Sequence, residues 1–167
     1  MYKQLLSKIA VVSCLLMWSL GIAQTNTQLF QFALKENQQL LTVVDDSLSL
    51  SSPHTLKNKL NQAFIIKQTA QGYCYVVPAA NSSLFLKREG NGVSLVMFDE
   101  NDEDQRWKIL YTGHPYASLV DPTLEVFLSW DDVAGIILEN SPSSLSSNDD
   151  TAGNHFRFSI EKIEQTF

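Results

Sequence analysis

The sequence predicts an all-β domain built from three four-stranded repeats. Helical periodicity is almost absent after residue 23, and short β-rich runs separated by polar turns take its place. Three segments also share one shape: an amide, a variable residue, an aromatic, then alternating apolar positions. They are Gln62-Ala63-Phe64, Gln105-Arg106-Trp107 and Asn154-His155-Phe156. The aromatics stand 43 and 49 residues apart, and a spacing of about 20–50 residues marks repeated supersecondary units.

The first segment belongs outside the domain. Lys3 and Lys8 flank a short basic start, residues 9–23 are uncharged and mostly apolar, and Gly21-Ile22-Ala23 puts small residues ahead of Gln24. This reads as a secretory signal peptide over 1–23, leaving a secreted or periplasmic mature chain over 24–167. A helix over 9–23 would reach about 22 Å, short of the roughly 30 Å hydrocarbon core, so a retained membrane span is disfavoured. Val11-Val12-Ser13-Cys14 resembles a lipoprotein signal. Against it, five residues separate Lys8 from Cys14 and apolar sequence continues beyond the cysteine.

Strands follow in three groups. The first repeat, about 28–69, holds runs at 29–35, 39–44, 47–51 and 64–68; the third of these is weak, with serine at every second position. The second, about 72–112, holds 73–77, 84–88, 93–98 and 107–111. Its inner hairpin turns at Glu89-Gly90-Asn91-Gly92, where glycine permits positive φ. The third, about 115–163, holds 117–120, 124–130, 135–139 and 156–162, with Asp131-Asp132-Val133-Ala134-Gly135 as its turn. In the last run Phe156, Phe158 and Ile160 alternate with Arg157, Ser159 and Glu161, as a strand with one buried face requires. A serine-rich polar insertion over 141–150 precedes it and lengthens the last spacing.

One four-stranded unit cannot bury its apolar face alone. Closure of three units about a common axis would bring Phe64, Trp107 and Phe156 into one core and protect the strand edges. Only Cys74 remains after cleavage at residue 23, so no internal disulfide is available and packing must stabilise the domain. Cys74 lies in the apolar run Tyr73-Cys74-Tyr75-Val76-Val77, which favours a small buried hydrophobe over a reactive thiol.

Two of the 12 basic residues and none of the 18 acidic ones lie in 1–23, so the mature chain carries a net charge of −8. That charge repels phosphates, and nucleic acid is not an expected partner.

The residues of 62–64 and 105–107, with 154–156 as a looser match, resemble the Gln-x-Trp repeats of the ricin-type β-trefoil family. The resemblance implies a six-stranded barrel capped by hairpins. It also implies a non-catalytic, lectin-like module that binds carbohydrate. Family sites pair an Asp at the second strand of a repeat with an aromatic near the end of the third and a nearby Asn or Gln. By that pattern the Asp position holds Thr42 in the first repeat, Leu86 in the second and Glu125 in the third. Glu125, Trp130 and Asn140 form the candidate sugar pocket, against the simpler reading of Glu125 as a solvated residue and Trp130 as a core cap. The alternative function is a protein-interaction or inhibitor-type trefoil whose sugar sites have been lost.

Other chemistry is sparse. Asp99, Asn101 and Glu103 alternate as calcium ligands do, but the run lacks the glycine and the terminal glutamate of an EF-hand, and a solvated loop is the simpler reading. His54, His114 and His155 are scattered singly, so no metal is expected, and no cofactor motif appears. Paired loop acids such as Asp45-Asp46 and Asp131-Asp132 do not by themselves make a glycosidase. Enzymatic activity is the least favoured class.

Overall fold

The computed structural model describes residues 27–53, 59–113, 115–140 and 157–163. The signal segment, Cys14, the three histidines, the insertion over 141–150, Asn154 and Phe156 lie outside the described residues.

The first repeat contains β1 (Leu29–Leu34), β2 (Leu40–Val44), β3 (Ser47–Ser51) and β4 (Phe64–Gln68). The second contains β5 (Cys74–Pro78), β6 (Leu84–Glu89), β7 (Gly92–Met97) and β8 (Lys108–Gly113). The third contains β9 (Tyr116–Val120), β10 (Val126–Asp131), β11 (Gly135–Asn140) and β12 (Phe158–Ile163). Short 3-10 turns at Lys59–Gln62 and Glu103–Gln105 lead into β4 and towards β8.

Six strands close into a ring. β1 pairs with β4 and β12, β4 with β5, β8 with β9, and β9 with β12. The remaining seam, β5 to β8, is held by a bridge in which Cys74 and Trp107 exchange backbone hydrogen bonds of 2.8 and 2.9 Å. The other six strands form the hairpins β2–β3, β6–β7 and β10–β11, which touch one another through β3, β7 and β11. This is the β-trefoil arrangement.

Register identifies equivalent positions in the repeats. Phe30 faces Phe64, Cys74 faces Trp107, and Ala117 faces Phe158. Across the next pairing, Pro78 faces Phe64 and Leu34 faces Phe158. The aromatic that the described residues place at this position in the third repeat is therefore Phe158, two residues after Phe156. A shift of two keeps every side chain on the same face of a strand, so the apolar pattern alone does not separate the two. Phe64, Trp107 and Phe158 are each at most 2% exposed.

Two further layers repeat. Phe32, Val76 and Leu119 fill one; Leu41, Leu86 and Leu128, each one step in from the same hairpin position, fill another. Phe32 meets Phe64 edge-on at 5.5 Å and Phe158 at 6.5 Å, a geometry that adds about 0.5–1.5 kcal/mol per pair beyond burial.

The amides of the motif have a structural task. Gln105 Nε2 donates to Met97 O (2.9 Å), and its Oε1 accepts from Asp99 N (3.2 Å). Gln62 Nε2 donates to the matching carbonyl, Ser52 O (3.4 Å), and to Ser51 Oγ (3.1 Å). Both clip the chain at the end of the repeat's third strand. Trp107 Nε1 donates to Leu86 O at 3.0 Å, so the indole is satisfied inside the core. Counting back from Phe158, the third repeat has Phe156 at the amide position.

Candidate functional site

The site begins with the turn between β9 and β10. Asp121 is fully buried, and its Oδ1 accepts from Thr123 N (2.9 Å) and Leu124 N (2.7 Å). Its Oδ2 accepts from Arg88 Nε at 2.9 Å. Pro122 suits the first corner of such a turn. Glu125 closes it at φ 55°, donating its N–H to Asp121 O (3.0 Å). The first repeat turns the same way: Gln38, at φ 60°, donates to Leu34 O (2.9 Å).

Glu125 is thus an exposed turn residue ahead of β10, not a strand residue within 124–130. Alternating Leu124-Glu125-Val126 imitates a strand, and the buried Asp121 carboxylate overrides that tendency. Hairpin register also corrects the repeat equivalences. Thr42 matches Lys87 and Ser129, whereas Leu86 matches Leu41 and Leu128. Thr42, Leu86 and Glu125 do not occupy one shared position.

The three candidate sugar residues do not converge. Asn140, exposed at the end of β11, faces Val126, beside Glu125. Trp130 faces Ile136 at the opposite end of the hairpin. Four strand steps, about 13 Å, separate them. Trp130 packs on the core cluster while its Nε1 donates to Asp132 Oδ1 at 3.2 Å, which matches the core-cap reading.

Glu125 does line a cavity of about 430 Å³. Ile109, Leu110, Val120, Pro122 and Phe127 supply its apolar wall, and Lys108 and Glu125 its polar rim. Asp121 lies behind that rim, committed to Arg88 and the turn amides. The Glu125 carboxylate makes no hydrogen bond or ion pair with the described residues. Across the rim, Lys108 Nζ sits 5.4 Å from the Tyr73 ring centroid.

Tyr73 and Arg106 extend the site and were not legible as site residues, because one sits in a strand-like run and the other is the variable position of the motif. Tyr73 is set by a tight turn: Thr69 N donates to Tyr73 O (2.8 Å) and Tyr73 N to Thr69 Oγ1 (3.2 Å). Gly72 takes φ 82° within it, a conformation that favours glycine. Arg106 is held by Glu103 Oε1 (3.0 Å) and Glu100 O (3.3 Å). Hollows of about 70 and 270 Å³ flank these two side chains.

The acidic run 99–104 is a structured feature instead of a merely solvated loop. Asp102 pairs with Lys87 (2.8 Å), Asp104 with Arg88, and Glu103 with Arg106. Asp102 also caps the 3-10 turn through Asp104 N (3.1 Å). Its carboxyl is held below the ordinary range, first by the hydrogen bond from Lys87, and Lys87 is raised by the same bond. Among the described residues, no group of three or more His, Cys, Asp and Glu side chains is placed to hold a metal. Cys74 is a free, buried thiol pushed up to about 12 by desolvation.

No family model matches the chain, and no curated protein matches it. Solved structures do. The designed threefold-symmetric protein ThreeFoil is similar at TM-score 0.63 and 14% identity, covering 81% of this chain and 99% of its own. SeviL, solved with the asialo-GM1 saccharide, is similar at TM-score 0.64 and 11% identity, covering 83% of this chain and 100% of its own. The C-half of an earthworm R-type lectin, solved with GalNAc, is similar at TM-score 0.59 and 14% identity, covering 81% and 99%. Toxin chains and a glycosidase also contain similar regions, so the fold serves several functions. The chain has the β-trefoil fold, and R-type lectins are among the proteins that share it.

Proposed function

We propose that the mature chain is an exported, non-catalytic module that binds carbohydrate in the cavity beside Glu125. One observation carries this reading. The cavity sets an apolar wall against an uncommitted carboxylate acceptor and an ammonium donor. A sugar presents hydroxyls for the rim and C–H faces for the wall, and the volume of about 430 Å³ lies in the range of small-ligand sites. The lectins among the similar structures support the same ligand class. Acid–base hydrolysis needs two available carboxyls, and of the two here Asp121 is fully engaged. Among the described residues, no helix is long and apolar enough to cross a membrane.

A glycan array with wild-type protein, Glu125→Gln and Lys108→Ala tests the proposal. Each substitution is expected to weaken the best ligand about tenfold, the scale of one charge-assisted hydrogen bond. Trp130→Ala is expected to leave binding unchanged. A blank wild-type array would overturn the reading. The protein-interaction alternative draws on a different surface: Met97 is 66% and Phe98 47% exposed, with Phe98 stacked near Phe85 and Tyr75. A blank array, together with a protein partner lost in Phe98→Asp, would favour it.

A further inference from the structure

We propose that the Glu125 cavity is one end of a continuous groove that binds an extended, uncharged oligosaccharide, with Tyr73 as its central stacking platform. This rests on the carbohydrate reading and specifies its ligand. Three concavities of about 430, 70 and 270 Å³ follow one another along the junction of the second and third repeats. Pro122 lines both the first and the second; Tyr73 and Arg106 line both the second and the third. Shared walls make one path of them, and a single sugar ring would occupy only a part.

The chemistry along the path alternates. Glu125 offers an acceptor, Lys108 a donor, Tyr73 a ring with a hydroxyl, Arg106 donors, and Gln71, in the third hollow, both kinds. Alternating donors and acceptors suit a chain of hydroxyls better than a run of like charges. The Arg106 charge is already met by Glu103, and the −8 charge of the mature chain disfavours an acidic polysaccharide. Lys108 beneath one side of Tyr73 and the Thr69–Tyr73 turn hold the ring in place before any ligand arrives. Preorganisation of that kind lowers the ordering cost of binding.

Calorimetric titration with neutral gluco-, galacto- and N-acetylglucosamine oligosaccharides, from monosaccharide to hexasaccharide, tests the groove. For the series that binds, affinity is expected to climb about tenfold or more with length and then level off. Tyr73→Ala and Arg106→Ala should each remove most of that gain while leaving the shortest ligand almost unaffected. Tyr73→Phe should retain the gain, and thermal melts establish that each variant is folded. Glu125→Gln should weaken every length. Affinity independent of length, or long-chain binding indifferent to both Tyr73→Ala and Arg106→Ala, overturns the groove and leaves the cavity reading standing. No binding by the wild-type chain at any length or on the array overturns both.

Discussion

Cys74 shows how burial settles a chemical question at the level of one side chain. The thiolate is the reactive form of cysteine, and desolvation pushes this thiol up to about 12, so it stays protonated at neutral pH. In a Cys14→Ser background the native protein is expected to be silent to Ellman's reagent, with Cys74 reacting only after unfolding in denaturant. Rapid labelling of the folded chain would refute this. That much was visible in the sequence, because Tyr73-Cys74-Tyr75-Val76-Val77 already reads as a buried strand. Gln62 and Gln105 were visible for a similar reason: the aromatic two positions on marks the start of the closing strand. Glu125 was not. Its left-handed backbone depends on the buried carboxylate of Asp121 and on Arg88, 33 positions from that carboxylate, which no local pattern reports.

Among the elements, the link from β6 to the 3-10 turn at Glu103–Gln105 carries a pH signature. Asp102 is lowered from its ordinary 3.8, chiefly by the Lys87 hydrogen bond, so its contribution is present above that value and is lost as pH falls through the lowered one. Lys87 is raised from 10.5, chiefly by its bond to Asp102, so its contribution is present below that value and is lost as pH rises through the raised one. The pair is intact between those limits. Asp102→Asn keeps a capping side chain but removes the charge, and it is expected to flatten the acid limb of stability. Urea midpoints measured across the acid range check this; parallel curves for the two proteins would refute it. Strand existence was legible throughout because the period-two patterns are strong. Strand phase was less so, and the third repeat shows why: Phe156 and Phe158 stand two apart in sequence, where an alternating pattern fits either, and the insertion over 141–150 blurs the spacing that would choose between them.

Across the whole molecule, Arg88 adds a side-chain tie between the second and third repeats, which β8 and β9 also join by pairing. From β6 it reaches Asp104, ahead of β8, and Asp121, just after β9. It braces the region beside the β5–β8 seam, where, among the described residues, the Cys74–Trp107 bridge completes the ring. Arg88→Met is expected to cost about 3–5 kcal/mol in urea unfolding, because it leaves the fully buried Asp121 carboxylate without its cation. Asp121→Asn in that background should recover part of the loss. An Arg88→Met protein as stable as wild type would show that the pair has no such role.

The ring also joins the two ends of the domain: Leu29 at the start of β1 faces Ile163 at the end of β12. A nascent polypeptide therefore cannot complete its barrel until β12 has been made, and until then β1 lacks one neighbour. Such late, long-range closure slows folding.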